Sequence, residues 1–259
     1  MPKRAILWCG QVKQPAIRQG MHGKSHKLRG SLLEITDEYA GSDDSKIQCN
    51  SLQLSFNAAL ALGVERNEIH ACVFSDDLLP PSFDPGNNHP ATVAGLHRLV
   101  RTLSVRAKPD DALLFIAVNH GNKSALATAE PVDELDDDRI VRGLTPAALD
   151  ECLNQLGGSQ VVVVSTCYAG IFLSLEKRKG RAVLVACSAE EVYLVPRQHC
   201  AWPPFLDELF GAWCACSLSD TVPRLRLPLE EAFCRAHERL TVEKAPNVPL
   251  REGEAEWPA

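Results

Sequence analysis

Two nearly unbroken apolar runs, Leu113–Val118 (LLFIAV) and Val161–Val164 (VVVV), constrain this chain more than any other feature. A strand with one face in water alternates apolar and polar residues. Runs without that alternation read as strands buried on both faces, as in a parallel sheet covered by helices. Each run also leads to a reactive side chain. The first continues into Asn119-His120-Gly121 and the second into Ser165-Thr166-Cys167.

The rest of the pattern supplies the helices such a sheet needs. Arg4–Cys9, Ile69–Phe74 and Ala182–Cys187 read as three further strands. Ser51–Leu62 places Leu52, Phe56, Ala59 and Leu60 at helical spacing, with Gly63 as a stop. Ala91–Ser104 carries Val93, Leu96, Val100 and Leu103 on one stripe. Thr145-Pro146 offers an N-cap and a first-turn proline for a helix to about Leu156, ended by Gly157-Gly158. Phe205–Trp213 and Leu229–Leu240 also read as helical, the second opened by Pro228. Gln11–Ser45 and the Pro-rich Ser75–Pro90 read mostly as loop. The polar, Pro-bearing tail from Thr241 is expected to be loose. Strand and helix alternate, so the expected fold is α/β: a single domain over residues 1–240, with a mainly parallel central sheet and helices on both faces, then a tail over 241–259.

Composition excludes several functions. A net charge of −6 gives no pull toward nucleic acid or an anionic membrane, so neither is expected as a partner. No apolar run has the length of a membrane span, and Met1–Gly10 lacks the apolar core of a secretory signal. Ten cysteines without an export signal point to a reducing cytoplasm. No phosphate-binding loop or dinucleotide fingerprint occurs, so no cofactor is expected. His199, Cys200, Cys214 and Cys216 lack the paired Cys-x-x-Cys spacing of a zinc site, and no metal is expected there. Asp133–Arg139 (DELDDDR), within the insertion Asn122–Gly143, does not match a calcium loop and reads as solvated acidic chain beside the cleft. His22–Lys27 (HGKSHK) reads as an exposed loop.

In an open parallel sheet, ligands bind beyond the carboxyl ends of the strands. If the two apolar strands are neighbours, His120 and Cys167 emerge side by side at that edge. A thiol attacks a carbonyl only as thiolate, and an imidazole supplies the base. Gly121 and Gly170 let the backbone turn and leave room for a substrate chain. The N–H groups of Gly121 and Cys167 are placed to hold a developing oxyanion. Taken singly, a strand-end cysteine is more often a packed thiol and a sheet-edge histidine a structural group. Spacing alone leaves both readings open.

The stretches "NHG" at Asn119–Gly121 and "STCYAG" at Ser165–Gly170, each closing an apolar strand, resemble the caspase–legumain group of cysteine peptidases, which includes metacaspases. The separation of 47 residues between His120 and Cys167 agrees with the caspase pattern of about fifty. The resemblance runs from about Arg4 to Trp213. It implies His120 as general base and acid, Cys167 as nucleophile, and an oxyanion hole from Gly121 and Cys167. It implies a substrate-lining segment at Ser188, Glu190 and Glu191, and a protein or peptide as substrate. Where legumains and metacaspases carry an acid, and caspases a glutamine, this chain has Ser165. Arg18 is the candidate for the arginine that helps bind the substrate side chain, and Glu190 with Glu191 points to a basic residue before the cut. Thr166 stands where the family usually has Ala or Ser. The short Tyr168–Arg181 connection leaves little chain for an activating cleavage, although "EKRKGR" at Glu176–Arg181 is basic. The expected activity is a cytosolic cysteine endopeptidase, with control from a regulatory protein partner as one route. The rival readings are a catalytically silent interaction module of the same fold and a legumain-type peptide ligase.

Overall fold

The computed structural model describes residues 2–10, 44–129, 143–193, 203–216, 226–242, 249–253 and 257. Arg18, His22–Lys27, Asp133–Arg139, His199 and Cys200 lie outside the described residues.

A seven-stranded sheet forms the centre, in the order β3-β2-β1-β4-β5-β6-β7. Its strands are β1 (Lys3–Gly10), β2 (Ile69–Val73), β3 (Asn88–Pro90), β4 (Ala112–Asn119), β5 (Ser159–Thr166), β6 (Arg181–Val185) and β7 (Leu250–Gly253). The first six run parallel and β7 pairs antiparallel with β6. Among the described residues, five α-helices accompany them: α1 (Asp44–Ala61), α2 (Val93–Ser104), α3 (Pro146–Leu153), α4 (Pro204–Cys214) and α5 (Leu229–Val242). A 3-10 helix, Ala169–Lys177, connects β5 to β6.

Both faces of the sheet are buried, and the apolar runs are the reason. Leu114, Ile116 and Val118 of β4, with Val161 and Val163 of β5, belong to a core shared with α1, α4 and α5. Their alternates Leu113, Phe115 and Ala117, with Val162 and Val164, pack on the other side with α2, α3 and the 3-10 helix. Unbroken apolar sequence therefore feeds two cores at once.

The helix signals are met by real caps. Thr92 Oγ1 accepts the Gly95 N–H at 2.9 Å, and Thr145 Oγ1 accepts the Ala148 N–H at 3.2 Å. Gly63, at φ +83°, takes the left-handed turn after α1. Pro228 C=O accepts the Ala232 N–H at 2.9 Å as α5 opens.

Two strands differ from the sequence expectation. β3 falls in the stretch that reads as loop, and its His-Pro sequence is tolerated because the strand lies at the sheet edge, where one side needs no ladder bonds. Leu250–Gly253, expected to be loose, forms the opposite edge as β7. Beyond it, Trp257 sets its ring 5.9 Å from that of Trp213.

Candidate active site

The register between β4 and β5 decides the geometry. Asn119 pairs with Thr166 as the last rung of the parallel ladder, so His120 and Cys167 are the next residues along two adjoining strands, at their carboxyl ends. Adjoining strands lie about 4.8 Å apart. His120 is exposed and Cys167 half-buried.

The loop after β4 is pressed against both neighbouring strand ends. A Cβ on Gly121 would lie 2.7 Å from the Cys167 carbonyl oxygen and 2.9 Å from Thr166 Oγ1. A Cβ on Gly10, at the end of β1, would lie 1.8 Å from the Ala127 carbonyl oxygen. Only glycine allows either approach. Gly121 also faces Leu126 across an isolated antiparallel bridge. The bonds of that bridge run from Asn122 N–H to Ala125 C=O and from Ala127 N–H to His120 C=O, each 2.9 Å. Gly121 is thus at the non-hydrogen-bonded position, and its own amide turns away from Leu126.

Directly after Cys167 the chain reverses through Tyr168, which holds a left-handed conformation at φ 55°. A tyrosine there costs of order 1–2 kcal/mol. The turn is held by the Tyr168 N–H, which donates to the Glu191 carbonyl at 2.7 Å. Glu191 belongs to a strap, Ser188–Tyr193, that follows β6 and crosses the cysteine. The Cys167 thiol donates to the Tyr193 carbonyl at 3.8 Å, and the neighbouring Cys187 thiol reaches the Glu191 carbonyl at 3.5 Å. Burial raises the Cys167 thiol above its ordinary range, partly offset by backbone groups of Tyr193 and of Cys167 itself. Cys187 is pushed up to about 11, chiefly by burial. Cys167 is therefore a neutral thiol at rest.

The strap brings three of the sequence-predicted substrate residues to the rim. Glu190 pairs with Lys123 at 2.9 Å, and the Lys123 ammonium also sits 5.8 Å over the Tyr168 ring. Glu191 Oε2 accepts the Ser188 N–H at 2.9 Å. Ser165 is not at the rim but buried beneath it. Its hydroxyl lies beside the Tyr193 phenol without a hydrogen bond of ordinary geometry, while the phenol oxygen accepts the Phe205 N–H at 3.1 Å. The space left by Gly170 is occupied by the chain itself: a Cβ there would lie 2.3 Å from the Ala189 nitrogen. Lys123, Tyr168 and Tyr193 escaped the sequence reading. The only signal for the first two was their closeness in sequence to His120 and Cys167.

Among the described residues, no group of three or more His, Cys, Asp or Glu side chains is placed to hold a metal. Cys214 and Cys216 hydrogen-bond to each other, which raises the first thiol and lowers the second. No helix among the described residues is long and apolar enough to cross a membrane.

Chemically, the arrangement sets a neutral thiol next in register to an imidazole-bearing residue, with a glycine amide turned out beside them. That is a set of parts for acyl transfer, in which a base takes the thiol proton as sulfur attacks.

No family model matches the chain, and no curated protein matches it in sequence. Its fold does have counterparts among solved structures. Caspase-1 from Spodoptera frugiperda is similar at a TM-score of 0.54 with 10% sequence identity, over 97% of this chain and 86% of that one. At that identity the likeness speaks for the fold and not for the chemistry. The strand order, the covered faces and this likeness together assign the chain a caspase-like α/β fold.

Proposed function

We propose that this chain is a cysteine endopeptidase acting on proteins or peptides, with Cys167 as nucleophile and His120 as its proton shuttle. One observation carries the reading: the Asn119–Thr166 register puts His120 and Cys167 next to each other at the carboxyl edge of the sheet. His120 takes the thiol proton as Sγ attacks the peptide carbonyl. The N–H groups of Gly121 and Cys167 receive the oxyanion. His120 then protonates the departing amine, and water assisted by His120 hydrolyses the acyl-enzyme. Substrate lies along Ser188, Glu190 and Glu191, with Arg18 contributing to the pocket before the cut bond and Ser165 beneath it. The acids favour a basic residue there. The setting is the cytoplasm, and a regulatory protein partner governs access.

One feature favours the silent-module reading enough to need separating. The strap covers a neutral Cys167, and Glu190 is already paired with Lys123. A peptide library with basic, acidic and Asn residues before the scissile bond, run beside Cys167→Ala, tests the activity. Cleavage lost in the variant supports the peptidase. No cleavage, together with no peptidyl acyloxymethyl ketone adduct on Cys167 under reducing conditions, sinks it in favour of a binding module. Product joined to an added nucleophilic peptide in place of hydrolysis would make it a ligase.

A further inference from the structure

At the opposite edge of the sheet, where the strands begin, the surface folds into a cavity of about 1450 Å³. Lys3 stands on its wall at the start of β1, and the turn into β6 supplies Arg178 and Lys179. Arg226, shortly before α5, and Arg251, in β7, add two more cations. Against these five stand two carboxylates, Glu176 and Glu230. The chain as a whole carries −6, so a wall with more cations than anions runs against the charge of the molecule.

The individual pairings sharpen the point. Glu230 is taken by Arg251 at 3.5 Å. Arg178, Lys179 and Arg226 make no ion pair with any described residue. The wall that carries two of them is firmly built. Arg181, fully buried behind it, donates to Gln160 Oε1 at 2.8 Å, to the Leu175 carbonyl at 3.0 Å and to Asn154 Oδ1 at 3.0 Å. Those bonds tie the Arg178–Gly180 turn to the sheet, and the Arg178 guanidinium is held by the Leu153 carbonyl at 3.3 Å. Cations on a fixed wall lose less entropy on meeting an anion than cations on a loose one.

The cavity also has an apolar side. Trp257 lines it half-buried, its ring oriented by its N–H bond to the Leu62 carbonyl at 3.1 Å and by the edge contact with Trp213. An indole beside unpaired guanidinium and ammonium groups suits a ligand that carries both a flat ring and several negative charges. The volume exceeds the roughly 300–1000 Å³ of ordinary small-molecule sites. We propose that this cavity binds a small phosphate-bearing anion of the nucleoside-polyphosphate class, with its phosphates on Arg178, Lys179 and Arg226 and its ring against Trp257. Recognition is by side chains, which is why no phosphate-loop motif announces it. The proposal stands apart from the peptidase reading.

Isothermal titration calorimetry of the full chain tests it with three probes: ATP, tripolyphosphate and adenosine. The expected result is saturable binding of ATP at one per chain, weaker binding of tripolyphosphate, and the weakest by adenosine. Lys179→Ala and Arg226→Ala, both surface changes whose folding is checked by melting, should each weaken ATP at least about tenfold, equivalent to about 1.4 kcal/mol. Trp257→Ala should bring ATP down to the affinity of tripolyphosphate. No saturation by ATP at about 5 mM, near the millimolar limit of useful affinity, overturns the site. So does ATP binding that neither cation variant changes. Tripolyphosphate binding as tightly as ATP to the native chain overturns the nucleoside class.

Discussion

The two edges of the sheet handle charge in opposite ways. Where the strands begin, Arg4 is buried with its guanidinium on Glu68 at 3.1 Å and on Asp111, and Arg181 is fully buried among Asp150, Gln160 and Asn154. Around Cys167, where the strands end, the ion pair is an exposed one. That edge instead holds a left-handed tyrosine, two thiols kept neutral by burial and an exposed Lys123–Glu190 pair. Paired buried charges fix one conformation, because breaking a pair strands an ion. Strained backbone and exposed pairs permit a second conformation at small cost. The amino edge thus anchors the sheet, while the carboxyl edge is where a substrate can rearrange the chain.

Exchanging the damage between the edges gives the largest effects. Cys167→Ala should remove peptidase turnover by about a thousandfold or more and leave the melting temperature unchanged. Arg181→Ala should do the reverse in character. It leaves the buried Gln160 Oε1 and the Leu175 carbonyl without their donor, at about 1–3 kcal/mol for each in urea unfolding. An Arg181→Ala chain as stable as the parent would break the contrast.

Acid and alkali should act on different buried groups. His70, in β2, is buried, and its value falls to about 4, first through burial and then through His89 and the nearby Arg106 and Arg4. Above pH 6.5 both folded and unfolded forms are neutral, so His70 contributes nothing to the pH dependence. As pH falls from 6.5 to 4 only the unfolded chain takes the proton, and about 3 kcal/mol of stability is lost. For Cys187 the sign acts in alkali. Above the ordinary thiol range the unfolded chain ionises while Cys187, held up to about 11, does not. Stability should therefore fall as pH rises toward 11, and Cys187→Ala should remove its share of that limb, the buried thiols of Cys72 and Cys152 keeping theirs. His70→Phe should flatten only the acid limb. Urea melts across pH 4 to 11 read both.

The backbone at Tyr168 predicts a smaller effect. Asparagine tolerates the left-handed region and a β-branched residue does not, so Tyr168→Val should be about 1–2 kcal/mol less stable than Tyr168→Asn. Equal stabilities would mean that the turn after Cys167 carries no strain.

What the sequence revealed, and what it hid, follows the same division. β4 and β5 were legible because burial on both faces writes itself as uninterrupted apolar sequence, and the caps at Thr145 and Gly63 because they are local. β3 and β7 were hidden because an edge strand satisfies one neighbour only, so Pro90 and Arg251 are tolerated in it. His120 and Cys167 stood out as strand-end residues. The strap did not. It depends on Tyr168, Glu191 and Tyr193 meeting through backbone bonds that any residues at those positions could make. Ser165 sits beneath the rim because residues along β5 alternate between faces, a detail that no motif records.

The smallest predicted change in stability bears on the most consequential part of that strap. Lys123 and Glu190 are both well exposed, so Lys123→Ala should leave the melting temperature indistinguishable from the parent. Yet that pair ties the loop after His120 to the strap over Cys167. If it restrains the strap, the variant should be alkylated by iodoacetamide at Cys167 several times faster at neutral pH. Raising salt from about 0.05 to 1 M should accelerate the parent toward the same rate, because screening weakens an exposed pair. The variant should respond little to salt. Alkylation that is equal in both chains, at every salt concentration, would show that the strap is held by its backbone bonds alone and that the exposed pair has no part in covering the cysteine.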